Sequence, residues 1–371
     1  MQIDSLEIFH LALPYSNPQE TPWGTVAELQ TVLVRMTSGD LVGWGEASPG
    51  SAPSTGAEWA GSAFLCLRDW LGPRVVGREV EDGAKLQERL AAVRGNRHAK
   101  AALDIAFWDL IARKKGQPLH TALGGAREAV EVGASFDRME STEEFLAEIG
   151  KALEAGYGRI ELKFRPGWDL QMVNAVRHVY PTQRFHVDAE GDMHLGLMET
   201  LCRLDDFTLA MVEQPLSPDD LVGHAMVQET IRTPVCLDES IATLQHAEMA
   251  LELHAAKYIN LKPGRVGGLT TAVAIDEACH AECVPCWVGG APQTAIGARA
   301  GYALAARANC SYPADHAPLD RLLAVDVAPW PETFIDPEDK AMKVRLWTEP
   351  GLGISPNSEL IEKHALAKVR L

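Results

Sequence analysis

No stretch of the 371-residue chain approaches 18 consecutive apolar residues, so no segment reads as a membrane-spanning helix. The first residues, Met1-Gln2-Ile3-Asp4-Ser5-Leu6-Glu7, lack both a basic start and an apolar core. No secretory signal is therefore expected, and the sequence reads as cytoplasmic. Basic residues are scarce too: Lys plus Arg is 34 against 51 Asp plus Glu, a net charge of −17. An acidic surface repels nucleic acid and anionic lipid, so neither is an expected partner. A small anionic ligand then needs a locally positive site. The seven cysteines are odd in number, and most lie in apolar stretches such as Val235-Cys236-Leu237 and Pro285-Cys286-Trp287. That suits reduced, buried thiols rather than a disulfide framework. Cys279, His280, Cys283 and Cys286 have a zinc-like spacing. A helical pattern carries Cys279 and a strand-like run carries Cys286, and no second ligand pair follows, so convergence on a metal is not expected.

The residues that are present describe a soluble α/β chain in three parts. Residues 1–125 read as an α+β domain. Strands are expected at 6–11, 29–36 and 41–46, with Thr37-Ser38-Gly39-Asp40 as a hairpin turn. Helical patterns follow at 59–71, 86–93 and 98–112. Over residues 126–328 short apolar runs alternate with helix-length segments. The runs are 130–134, 159–163, 185–188, 210–213, 235–238, 258–262, 284–288 and 309–312. Eight such strands in βαβα order predict a parallel sheet closed into a barrel. Residues 329–371 resume short strands and are expected to return to the first domain.

A spacing marks the site. Lys163, Asp188, Glu213, Asp238 and Lys262 each close an apolar run, at intervals of 25, 25, 25 and 24 residues. One βα unit per interval places all five at the same end of successive strands, the end where barrel active sites assemble. Three carboxylates on neighbouring strands repel one another unless a cation lies between them. Oxygen ligands with open positions suit Mg²⁺ best, and Mn²⁺ next. Asp188, Glu213 and Asp238 are therefore the candidate metal ligands. Lys163 and Lys262 bracket them as candidate proton-transfer residues for chemistry α to a carboxylate.

In this order the motifs resemble the muconate-lactonizing branch of the enolase superfamily. The likeness is nearest to the group of o-succinylbenzoate synthases and N-acylamino acid racemases. His98-Ala99-Lys100-Ala101-Ala102-Leu103-Asp104 is similar to the first-domain helix, and Lys163-Phe164-Arg165-Pro166-Gly167 to the strand-two motif. Val187-Asp188-Ala189, Val212-Glu213-Gln214-Pro215 and Leu237-Asp238-Glu239-Ser240 resemble the three metal motifs, and Asn260-Leu261-Lys262-Pro263-Gly264 the strand-six motif. The resemblance implies a (β/α)7β modified TIM barrel with an N-terminal α+β capping domain, a Mg²⁺-dependent lyase or isomerase, a small carboxylate substrate and a homo-oligomer. It implies that cap loops near residues 16–24, including Trp23, and 48–55 contact substrate, as does Gln293 in the strand-seven loop.

Three positions depart from the family pattern. The strand-two motif reads Lys-x-Lys, its second lysine being the usual base, and matching Lys163 to the first lysine puts Arg165 at the second. Arginine, with a pKa of about 12.5 or more, is a poor base and a strong carboxylate binder. Glu190 stands in place of an asparagine and Gln293 in place of a glutamate. Glu190, an acid beside the metal set like Glu239, is expected to pair with Arg165. On this alignment a one-base dehydration of the o-succinylbenzoate synthase kind is expected. The alternatives are a muconate-type cycloisomerisation, a racemisation or epimerisation of acylated amino acids or dipeptides, and a metal-binding homologue that has lost catalysis.

Overall fold

The computed structural model describes residues 1–21, 24–53 and 56–371. The chain opens with β1 (Ser5–Thr21), β2 (Gly24–Ser38) and β3 (Leu41–Ala47), an antiparallel meander. The β2–β3 turn needs Gly39, which takes φ +56 and donates its N–H to Asp4 at 2.6 Å. The helix Arg97–Lys114 lies directly on β3. A Cβ at Gly43 would meet Ala106 O at 2.2 Å, and one at Gly45 would meet Ala102 O at 2.0 Å. Only glycine lets strand and helix backbones approach this closely. Ile8, Val32, Val34, Phe107 and Leu110 fill the core of this cap.

The barrel begins at β4 (Ala129–Phe136) and continues in parallel through β5 (Ile160–Lys163), β6 (Phe185–Asp188), β7 (Val212–Glu213), β8 (Val235–Leu237), β9 (Tyr258–Asn260) and β10 (Cys286–Trp287). The last strand, β11 (Ala314–Ala317), pairs with β4. Hydrogen bonds from Cys286 N–H to Asn309 O, Ser311 N–H to Cys286 O and Asp315 N–H to Val288 O join it to β10 and close the ring. The expected eighth strand at 309–312 is thus corrected. That run forms only the bridge from Cys310 to Cys286, and the ladder with β4 starts at Ala314. Among the described residues no helix is long and apolar enough to cross a membrane.

The C-terminal segment serves both halves. The hairpin β12 (Thr333–Ile335) and β13 (Met342–Arg345) adds antiparallel to β4, and β14 (Ala365–Arg370) adds antiparallel to β1 in the cap. All seven cysteines are free, and Cys283 is exposed while Cys279 and Cys286 are buried.

Cap and barrel are fastened by buried acids. Glu46 of β3 accepts from Thr294 N–H at 3.0 Å, Thr294 Oγ1 at 2.7 Å and Gly297 N–H at 2.9 Å, capping the barrel helix Ala295–Ala305. Asp104 of the cap helix accepts from Thr270 N–H at 2.9 Å and Gln87 Nε2 at 2.9 Å. Burial pushes the Asp104 carboxyl up to about 6. Its folded value lies above its unfolded one, so stability from this group is present below about pH 4 and is lost as the pH rises through about 6. Asp104→Asn has no such dependence but forfeits a hydrogen bond. The stability gap between wild type and this variant is therefore expected to narrow by on the order of 2 kcal/mol between pH 4.5 and 7. Urea unfolding at the two pH values checks this, and a gap that stays constant contradicts it.

Candidate active site

Alternation along β5 turns Arg159, Glu161 and Lys163 into the barrel, and alternation along β6 does the same for His186 and Asp188. Glu213 ends β7, Asp238 follows β8, and Lys262 follows β9 as the residue that leads into the helix Pro263–Val266. The strand order runs β9-β8-β7-β6-β5, so the two lysines flank the three acids around one arc of the rim. Asp188, Glu213 and Asp238 are 6%, 1% and 1% exposed.

Each lysine holds an outer acid. Lys163 Nζ donates to Asp188 Oδ2 at 2.7 Å, and Lys262 Nζ to Asp238 Oδ2 at 2.8 Å. Arg265 Nη1 lies against Asp238 Oδ1. Burial raises the Asp238 carboxyl, but Arg265 and Lys262 overcome it and hold it at about 2. Glu213 has no such cation. Burial first, then the neighbouring Asp188, pushes it up to about 8, with Asp238 adding to the rise. Burial also lowers the ammonium of each lysine. For Lys163 the carboxylates of Asp188, Glu161 and Glu190 outweigh this, and for Lys262 Asp238 does so against Arg265, so both are raised.

A second group lies one layer deeper. Among the described residues Glu161, His186 and Glu213 form a cluster whose ligand atoms all come within 4.8 Å of one another. His186 Nε2 is 3.3 Å from Glu213 Oε2 and 3.6 Å from Glu161 Oε2, and its Nδ1 is 3.1 Å from the Tyr312 hydroxyl. Asn260 Nδ2 donates to Glu213 Oε1 at 2.7 Å. Arg159, fully buried, donates to Asp315 at 2.6 Å and stacks over Trp287. Glu161, His186, Asn260 and Arg265 were not singled out from sequence. The inward alternation of β5 and β6 was the available signal.

The expected site residues divide as follows. Asp188, Glu213, Asp238, Lys163 and Lys262 converge at the rim. Glu239 adjoins them, and burial with Asp238 beside it pushes its carboxyl up to about 8. Arg165 lies past the end of β5 in a turn closed by mutual backbone bonds with Trp168. Its side chain is 38% exposed, with Nη2 3.1 Å from Asp137 and 3.4 Å from Glu190. The expected Arg165–Glu190 pair is therefore present, shared with Asp137. Gln293 is half-buried beside Gly297, at the start of the helix capped by Glu46. Trp23 lies outside the described residues.

The donor set fits a hard dication. Three buried carboxylates meet at one rim, and Glu213 Oε2, Asp238 Oδ1 and Glu239 Oε2 are buried without an aligned hydrogen bond. Repulsion among these acids is the strain that a cation relieves.

The chain matches the enolase C-terminal domain-like family over residues 144–360 and the mandelate racemase / muconate lactonizing enzyme N-terminal domain over residues 4–124. It belongs to the enolase superfamily. This enolase-superfamily enzyme is 35% identical to an o-succinylbenzoate synthase of Bacillus subtilis, over 98% of the chain and 97% of the relative. It is also 35% identical to an N-succinylamino acid racemase of Amycolatopsis, over 100% of the chain and 99% of the relative. A Listeria innocua enolase-superfamily structure superposes with a TM-score of 0.93 at 28% identity, covering 100% of this chain and 99% of that one. Members of the superfamily use Mg²⁺.

Proposed function

We propose that the protein is a Mg²⁺-dependent enzyme that removes a proton α to the carboxylate of a small anionic substrate, in a dehydration like that of o-succinylbenzoate synthase. The arc of Lys163, Asp188, Glu213, Asp238 and Lys262 carries this reading. Asp188, Glu213 and Asp238 would hold magnesium, with manganese as the next best ion. A dication there supplies Lewis-acid stabilisation of the negative charge that develops on the substrate carboxylate. Lys262 takes the α-proton. In a syn-elimination the same amine returns it to the departing hydroxyl, so that C–H and C–O bonds break and water leaves. Arg165 offers its free N–H groups to a distal anionic group of the substrate, and Gln293 contributes from the loop before its helix.

The position of Lys163 changes the alignment of the strand-two motif. It is Lys163, at the end of β5 and on Asp188, that stands where a base is needed, whereas Arg165 is outside. The Lys-x-Lys pattern is therefore matched by Glu161-x-Lys163, with Glu161 in place of the first lysine. An amine at each end of the acid arc favours a second reading, racemisation of an N-succinylamino acid by a base on each face.

The test is α-hydrogen exchange in D₂O, followed by NMR, with Mg²⁺ and either a succinylbenzoate precursor or an N-succinylamino acid. Exchange or water loss is expected with Mg²⁺ and is expected to stop on chelation with EDTA and return with added Mg²⁺. Turnover that survives EDTA overturns the proposal.

A further inference from the structure

Lys163 and Lys262 have different residues behind them. On β5 the inward residue two positions before the lysine is Glu161, and on β9 it is Asn260. Glu161 Oε1 lies 3.1 Å from Lys163 Nζ. Asn260 is instead committed elsewhere: its Nδ2 donates to Glu213 Oε1 at 2.7 Å, and its Oδ1 accepts from Gly289 N–H at 2.7 Å. Glu161 is itself pinned from below. Its Oε2 accepts from Arg159 Nη1 at 3.4 Å, and Arg159 is fixed by Asp315 Oδ1 at 2.6 Å, by Pro313 O at 3.1 Å and by the Trp287 ring. A carboxylate fastened through one oxygen presents the other in a set direction.

A dication on the rim acids competes with Lys163 for Asp188, because Lys163 Nζ lies 2.7 Å from Asp188 Oδ2. The remaining surface partner, Glu190, is 44% exposed and is shared with Arg165, so it holds an amine loosely. The geometry points to Glu161 as a positioning residue: it keeps the Lys163 amine on its face of the site once Asp188 turns to the metal. This inference rests on the proton-transfer reading above. It goes beyond that reading in giving one lysine a buried anchor that the other lacks.

The experiment compares crystals of the magnesium-loaded wild type and Glu161→Gln, together with exchange of each enantiomer of an N-succinylamino acid in D₂O. Lys163 Nζ is expected within hydrogen-bond reach of Glu161 in the wild type and displaced toward Glu190 in the variant. Exchange of the enantiomer whose α-hydrogen faces Lys163 is expected to fall by about 10²-fold, and that of the other to stay within a factor of about two. An unmoved amine in the variant, an equal fall for both enantiomers, or an ion held by Glu161, His186 and Glu213 overturns the proposal. A wild type that exchanges neither enantiomer refutes the proton-transfer reading on this substrate, and the position of Nζ still decides the role of Glu161. Should Glu161→Gln fail to fold, the metal-loaded wild-type structure decides it alone.

Discussion

Lys262→Ala is expected to lower turnover and α-hydrogen exchange by about 10²- to 10⁴-fold, the range for losing a positioned proton-transfer group. The substitution removes the amine that donates to Asp238 at 2.8 Å. It leaves Asp238 beside Arg265, so the carboxylate is not stranded and the rim can still gather a cation. The loss therefore belongs in kcat, with Mg²⁺ affinity by calorimetry close to wild type. A variant that keeps exchange within about threefold of wild type would remove Lys262 from the chemistry.

Arg159→Met is expected to cost about 3–5 kcal/mol of folding stability, because it strands buried carboxylates. The guanidinium is fully buried and serves Asp315 at 2.6 Å and Glu161 at 3.4 Å, while stacking over Trp287 and 5.9 Å from the Tyr312 ring centre. Methionine fills much of the volume but answers neither acid. Guanidinium chloride unfolding measures the loss. Pairing the change with Asp315→Asn should recover part of it, since one stranded charge is then gone. A single-variant loss under about 1 kcal/mol would mean that the network beneath the rim is not a structural support.

How much of this was legible beforehand follows from what each signal encodes. The 25-residue interval located Asp188, Glu213 and Asp238 because successive βα units of equal length bring the same strand end round to the same rim. The interval also placed Lys163 and Lys262, although Lys262 proves to sit just past its strand. The eighth strand was misplaced because the run at 309–312 is apolar and bridges to Cys286, whereas the ladder with β4 depends on Ala314 and Ala317, which carry no strand signature. Arg165 was set one step too far along its motif. Residues 161, 163 and 165 share a parity, and nothing in the local sequence says that β5 stops at Lys163. His186 and Glu161 were hidden for a related reason: inward polar residues in a barrel core run against the usual apolar filling, and only the neighbours across the sheet show that they satisfy one another. Asp137, which shares Arg165 with Glu190, comes from a loop that carried no motif.

Two acidic groups near the rim compete for the description of a metal site, and they share Glu213. Crystals soaked in Mn²⁺ and measured for anomalous scattering separate them directly. One peak touching carboxylate oxygens of Asp188, Glu213 and Asp238, with Lys163 and Lys262 on either side, is the expected result. A peak among Glu161, His186 and Glu213 instead, or none at saturating Mn²⁺, would contradict it.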